Sequence, residues 1–203
     1  MVVTAMDPEQ DMLVAARENA KEAGVTLNLI EGSSYDLGPS IGQFHLVTMG
    51  RSFHWMDREA TLAALDGLVE RGGGLALFGD RRIETPGTNW RGLVEQLREE
   101  FVLAQVVDRR RQKAEDDSHE ALLLRSAFST IERYGIVVSR KLNPDDIVGR
   151  VYSSSITSPE TLGDKRRAFE QTLRERLARL SPNGEFGEVA EVNALIASRP
   201  DDL

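Results

Sequence analysis

The chain has no cysteine among its 203 residues. That removes disulfides, thiolate nucleophiles and every zinc or iron–sulfur site built on Cys. It also has no apolar run near the roughly 18 to 20 residues that span a bilayer, and no basic segment leading into an apolar signal core. A cytoplasmic location without a membrane partner is the expectation. Positive charge is scarce too: 25 Lys and Arg face 33 Asp and Glu, for a net charge of −8. A broad phosphate-binding surface is disfavoured, so nucleic acid is not expected as a partner. No G-x-S-x-G accompanies Ser52 or Ser126, which leaves a hydrolase triad without support. The three histidines show no metal-ligand spacing, and no metal is implied; His45, in a strand pattern, and His119, in a polar stretch, add little.

What is present is the composition of a folded domain, 40% hydrophobic and 29% charged. VVTAM at 2–6 is short, β-branched and apolar on both faces, as a buried parallel strand is. Pro8 suits a first helical turn, and Met12, Leu13, Ala16 and Ala20 recur at helical spacing until Gly24. VTLNLIEG at 25–32 and FHLVTMG at 44–50 read as two further strands across a turn-prone linker. Asp57 is placed to cap a helix bearing Leu62, Leu65, Leu68 and Val69, with Gly72 to Gly74 as its stop and tight turn before a strand at 75–80. Such alternation predicts an α/β fold with a parallel sheet.

Beyond Asp80, Trp90, Leu93, Val94, Leu97 and Phe101 mark an amphipathic helix. The polar stretch VVDRRRQKAEDDSHE after it reads as a solvated loop or lid, in which Arg109 to Arg111 are offset by Asp116, Asp117 and Glu120. Strands are expected within 127–142 and 185–199, with a helix carrying Leu162, Phe169, Leu173, Leu177 and Leu180 between them.

Two places invite chemistry. Asp7 stands where a strand ends and a helix begins, a position suited either to capping the helix or to accepting from two ribose hydroxyls. MGRSFHWMD, 49–57, begins where a parallel strand should end, at the edge where open α/β sheets bind ligands. There Phe53 and Trp55 can wall a pocket and His54 can serve as a general base or polar anchor, or the aromatics can simply pack the next helix.

The order VTAMDPEQDML, LIEGSSYDL, FHLVTMGRSFHWMD, LDGLVERGGGLALFGD resembles the class I S-adenosylmethionine-dependent methyltransferases, especially the small-molecule branch with an aromatic, His, Trp stretch after its fourth strand. The resemblance implies one Rossmann-like methyltransferase domain over 1–203, with a cofactor-side half at 1–80 and a substrate-side half at 81–203 holding a helical insertion at about 143–184. It implies S-adenosylmethionine as cofactor, with Asp7 on the ribose, Ser33 and Ser34 on the adenine where relatives often carry an acidic residue, and Met49 and Gly50 beside the methionine portion. Arg51 and Trp55 fall to substrate binding and His54 to catalysis. Relatives place a first strand and a glycine-rich loop before the segment matching VVTAM, so an N-terminally truncated sheet is expected: one with a gap, a rearranged one, or one completed by a partner.

The function implied is methyl transfer to a small-molecule acceptor. Two alternatives stand beside it: an inactive remnant serving as a binding or scaffold module, and a nucleotide-cofactor oxidoreductase in which Asp7 holds the ribose of NAD. Trp90, Tyr134, Arg150 and Tyr152 are loose candidates for pocket walls. An exposed edge of the VVTAM strand, which matches the second strand of the family's sheet, would favour a homo-oligomer.

Overall fold

The computed structural model describes residues 2–85, 89–102, 118–154 and 156–200. Strand β1 is Thr4–Asp7, helix α1 Gln10–Glu22, β2 Asn28–Glu31 and β3 Phe44–Gly50. Helix α2 follows at Arg58–Asp66, β4 at Val69–Ile83, α3 at Trp90–Phe101 and α4 at His119–Leu124. The chain then forms β5 at Thr130–Leu142, α5 at Pro144–Tyr152, α6 at Pro159–Leu162, α7 at Arg166–Leu180 and β6 at Phe186–Ser198. This is the expected α/β alternation over the first 80 residues, and α5 to α7 lie within the expected helical insertion. Most of the predicted lid, residues 106–117, lies outside the described residues, and its end opens α4 instead of remaining loop.

The strands form two sheets. In one, β1 and β2 run parallel with Asp7 opposite Glu31; in the other the order is β3-β4-β6-β5. Among the described residues no strand pairs with the second edge of β1 or the outer edge of β3. The exposed edge therefore belongs to β3 as well as to β1: Leu46, in the middle of β3, is 54% exposed.

Two expectations are corrected near β1. Pro8 is not in the first helical turn: α1 begins at Gln10 with Glu9 as its N-cap. Asp7 is not the cap either, because its carboxylate Oδ1 accepts the Glu9 N–H at 2.9 Å and so fixes the turn that precedes the helix.

The glycine run is also corrected. Helix α2 stops at Gly67, whose N–H donates to the Ala64 carbonyl at 3.2 Å while the Leu68 N–H donates to that of Leu65 at 3.0 Å, so Leu68 and Val69 lie beyond the helix. Val69 starts β4 opposite Phe44, and the register then jumps so that Leu46 faces Gly74. Gly72 to Gly74 are therefore strand residues at a bulge, a feature that local glycine density cannot distinguish from a helix stop. Their role is close approach: a Cβ on Gly73 would run into the His45 carbonyl, and one on Gly74 would sit 2.8 Å from the Ala197 carbonyl of β6.

The chain divides into two compact units. The first comprises residues up to 78, 119–133 and from 195 onward, and its core gathers Met49, Phe53, Leu62, Leu65, Leu75 and Leu77 with Leu122, Leu123 and Phe128. The second comprises 79–118 and 134–194, and its core joins Trp90, Val94 and Leu97 of α3 to Ile147 and Val151 of α5 and to Phe169, Leu173 and Leu177 of α7. Leu180, expected on that buried face, is exposed at the end of α7. The start of α5 is set by Asn143 and Asp146, which cap each other's backbone N–H ahead of Pro144.

The glycine geometry gives a matched pair of expectations. Gly73→Ala should cost about 1–3 kcal/mol in urea unfolding, because backbone has to move. Gly72→Ala, where a Cβ meets nothing within 4 Å, should stay within about 0.5 kcal/mol of the parent.

Candidate active site

Asp7 and the residues after β2 are brought together by the β1–β2 ladder. The Gly32 N–H donates to the Asp7 carbonyl at 3.2 Å, which sets the loop beginning at Ser33 beside the carboxyl end of β1. Asp7 is half-buried, one carboxylate oxygen holds the Glu9 turn, and Oδ2 has no hydrogen bond among the described residues. A ribose hydroxyl can be received there.

Ser33 caps the short turn Ser34–Asp36. Its Oγ accepts the Tyr35 N–H at 3.3 Å and donates to Asp36 Oδ2 at 3.0 Å, and that same oxygen accepts the Ser33 N–H at 2.8 Å. These bonds hold the Asp36 carboxyl below its ordinary range, the Ser33 backbone N–H contributing most and the hydroxyl next. Sequence reasoning misses Asp36, yet it brings a carboxylate onto the very residue where relatives often have one. The spacing of Ser33 and Asp36 as a capping pair is the signal that could have found it.

Met49, Gly50 and the residues after them cluster at the carboxyl end of β3. Met49 is buried in the first core, whereas Gly50 is exposed with open space where a Cβ would be. Arg51 turns the chain out of the sheet at φ 53°, a left-handed conformation costly for a residue with a Cβ. Its N–H donates to the Phe78 carbonyl at 2.9 Å, which continues the β3–β4 ladder and fixes the turn.

Next comes a single turn, Phe53–Trp55. It divides the aromatics: Phe53 is buried, while Trp55 is 53% exposed with the His54 ring against it at 4.6 Å. Asp57, as expected, caps α2 by accepting the Ala60 N–H at 3.1 Å.

His119, which adds little as sequence, joins this loop. Its ring meets Phe53 edge-on at 5.1 Å, and its Nδ1 lies 3.5 Å from Arg58 Nη1. Guanidinium only donates, so Nδ1 accepts and the ring proton sits on Nε2. Partial burial is the main cause that pushes the His119 imidazole below its ordinary value of 6.5, and the charges of Arg58 and then His54 act the same way. Nothing in the local sequence around His119 announces this, because α4 brings it in from a distant part of the chain.

Arg51, His54 and Trp55 thus share one loop, and Asp7, Ser33 and Ser34 meet at the carboxyl end of the β1–β2 ladder, while no strand pairing among the described residues joins the two sheets that carry them. The loose pocket candidates have structural duties. Trp90 Nε1 donates to the Gly187 carbonyl, Arg150 pairs with buried Glu188 at 2.9 Å, and the Tyr152 hydroxyl donates to Glu170. Tyr134 lies exposed on β5.

Residues 1–73 match the family model described as a methyltransferase domain. A Bacillus halodurans C-125 protein assigned to the methyltransferases matches at 16% identity over 98% of this chain and 84% of its own, with a TM-score of 0.54. The YcgJ protein of Bacillus subtilis matches at 13% over 98% and 83%, with a TM-score of 0.52. These structures share the fold, a Rossmann-like methyltransferase sheet. The chain spans 42% of the length of an S-adenosylmethionine-dependent methyltransferase from Clostridium acetobutylicum ATCC 824, at 17% identity over 43% of this chain with a TM-score of 0.36. No curated protein sequence matches significantly.

The cofactor of a methyltransferase domain of this class is S-adenosylmethionine. The residues at the β1–β2 edge suit its adenosine half, on one observation above all: the free Oδ2 of half-buried Asp7 lies beside the loop that carries Ser33. The open space at Gly50 suits close approach of a ligand.

His119 supplies a titration test. Its proton is favoured in the unfolded chain, so stability is full above pH 6.5 and falls as pH drops from 6.5 through the lower folded pKa. NMR titration should find the His119 midpoint below 6.5, and Arg58→Gln should raise it. A His119→Gln variant should show a flatter stability profile across that window.

Proposed function

We propose that this protein transfers a methyl group from S-adenosylmethionine to a small-molecule acceptor at the carboxyl edge of β1 to β3. The observation that carries the reading is the pairing of Asp7 with the Ser33 loop across one ladder, within the segment that matches the methyltransferase-domain family. Asp7 accepts from the ribose, Ser33 and Ser34 border the adenine, and Met49 and Gly50 border the methionine portion. When bound, the cofactor supplies a methyl group already activated on a sulfonium centre.

The chain's own task is then mainly placement, because holding two reactants in line can supply much of the barrier reduction. Trp55 offers an exposed ring as a wall for the acceptor, and Arg51 offers charge at the mouth of β3. His54 takes a proton from an acceptor that has one to lose, or orients one that does not. His119 complements it: with Nδ1 committed to Arg58, its Nε2–H donates to an acceptor oxygen. An oxygen acceptor, carboxylate or hydroxyl, therefore suits the loop better than an amine.

Calorimetry with S-adenosylmethionine and S-adenosylhomocysteine tests the cofactor assignment. Both should bind, and Asp7→Asn, which keeps the Glu9 turn, should lose about 1.5–3 kcal/mol of affinity. Absence of binding by the parent chain would remove the reading. For the acceptor step, single-turnover methyl transfer should slow by roughly 10² or more in His54→Ala when the acceptor loses a proton. An unchanged rate with cofactor binding intact would show that His54 is not the base.

A further inference from the structure

Strand β5 is the outer strand of the sheet β3-β4-β6-β5, and among the described residues no strand pairs with its far edge. It is long, 13 residues, and strongly exposed: Tyr134 is 56%, Ile136 69% and Val137 61% accessible. An edge of this kind has unpaired N–H and C=O groups and attracts another strand unless the sequence prevents it. The charges on β5 do not prevent pairing with a second copy; they select one register of it.

Antiparallel pairing of β5 with itself, centred on Ile136, sets Ile136 against its own copy and Tyr134 against Val138. It also sets Glu132 against Arg140, once on each side of the two-fold axis. Residues 132, 134, 136, 138 and 140 share one face of the strand, so these partners meet on the same side. Arg133 faces Ser139 and Lys141 faces Ile131, so no like charges oppose one another. Moving the centre one residue toward the C-terminus sets Arg133 against Lys141, so slippage in that direction is penalised. Within one chain Arg133 and Lys141 are engaged with Glu120 and Glu185, whereas Arg140 has no ion pair among the described residues.

We infer that β5 is a homodimer interface, in which two copies of this chain join antiparallel at the β5 edge in the register centred on Ile136. The contact is isologous, as two-fold association requires, and each copy extends the other's sheet. It depends on the edge and charge pattern of β5 and not on the reading of the active site.

Because the chain has no cysteine, single-cysteine variants report the register directly. In the inferred pairing the two copies of residue 136 lie about 5 Å apart at Cα, within disulfide range. The two copies of residue 137 are roughly 8 Å apart, beyond that range. Mild oxidation should link Ile136→Cys nearly completely into a dimer and leave Val137→Cys monomeric.

Sedimentation velocity on the cysteine-free chain provides a second, independent readout. The parent should dimerise with a dissociation constant on the order of 10 μM, as a small edge contact does. Glu132→Arg and Arg140→Glu should each weaken it about tenfold, since both symmetry-related pairs turn repulsive, and the double variant should recover to within about threefold of the parent. Circular dichroism and melting should match the parent in all variants, because these side chains are exposed. The proposal is overturned if the parent stays monomeric at about 200 μM, if Val137→Cys links as readily as Ile136→Cys, or if the charge swap brings no recovery.

Discussion

The candidate acceptor loop depends on the register of β3 against β4. The ladder runs Leu46 to Gly50 against Gly74 to Phe78, and the Arg51 N–H extends it by one bond to the Phe78 carbonyl. That last bond fixes where the chain leaves the sheet, in a backbone conformation that arginine adopts only at a cost. Everything after it inherits the position: Phe53 inserts into the core, so His54 and Trp55 are left outside with their rings 4.6 Å apart and tilted at 45°. The register is possible because Gly73 and Gly74 allow the neighbouring backbones closer than any side chain would.

A second constraint acts at the carboxyl edge of β1 and β2. Here the β1–β2 ladder is only four residues long, and much of the local order comes from carboxylates turned back on the backbone. Asp7 secures Glu9, and Asp36 secures Ser33. Each is an acid at or just beyond the carboxyl end of a parallel strand, and each leaves acceptor capacity for a ligand. The carboxylates that fix these turns are thus the groups on which the proposed cofactor reading draws, and Asp7 does so from the turn before α1, not as its cap.

Much of this was legible in the sequence, for identifiable reasons. β3 was readable to its ends because FHLVTMG is a β-rich run bounded by Gly42 and by the turn at Arg51. The helix bearing Trp90, Val94 and Leu97 was readable because its period is clean. The glycine run failed because its meaning is tertiary: only the proximity of the His45 and Ala197 carbonyls shows that it is strand. His119 failed for the same reason, since its partners Phe53 and Arg58 are remote in sequence. At the site, the strand ends that carry Asp7, Met49 and Gly50 were legible from local patterns and the roles proposed for them came from the family resemblance, whereas Asp36 and His119 were found only through the groups they touch.

The central claim is that the carboxyl edge of β1 and β2 receives the adenosine half of the methyl donor. Amide chemical-shift mapping during titration with S-adenosylhomocysteine tests it most directly. The account predicts that the largest shifts fall at Asp7 to Glu9 and Gly32 to Asp36, with smaller ones at Gly50 and Arg51. Saturable shifts confined to other parts of the chain, or none at millimolar ligand, would contradict it.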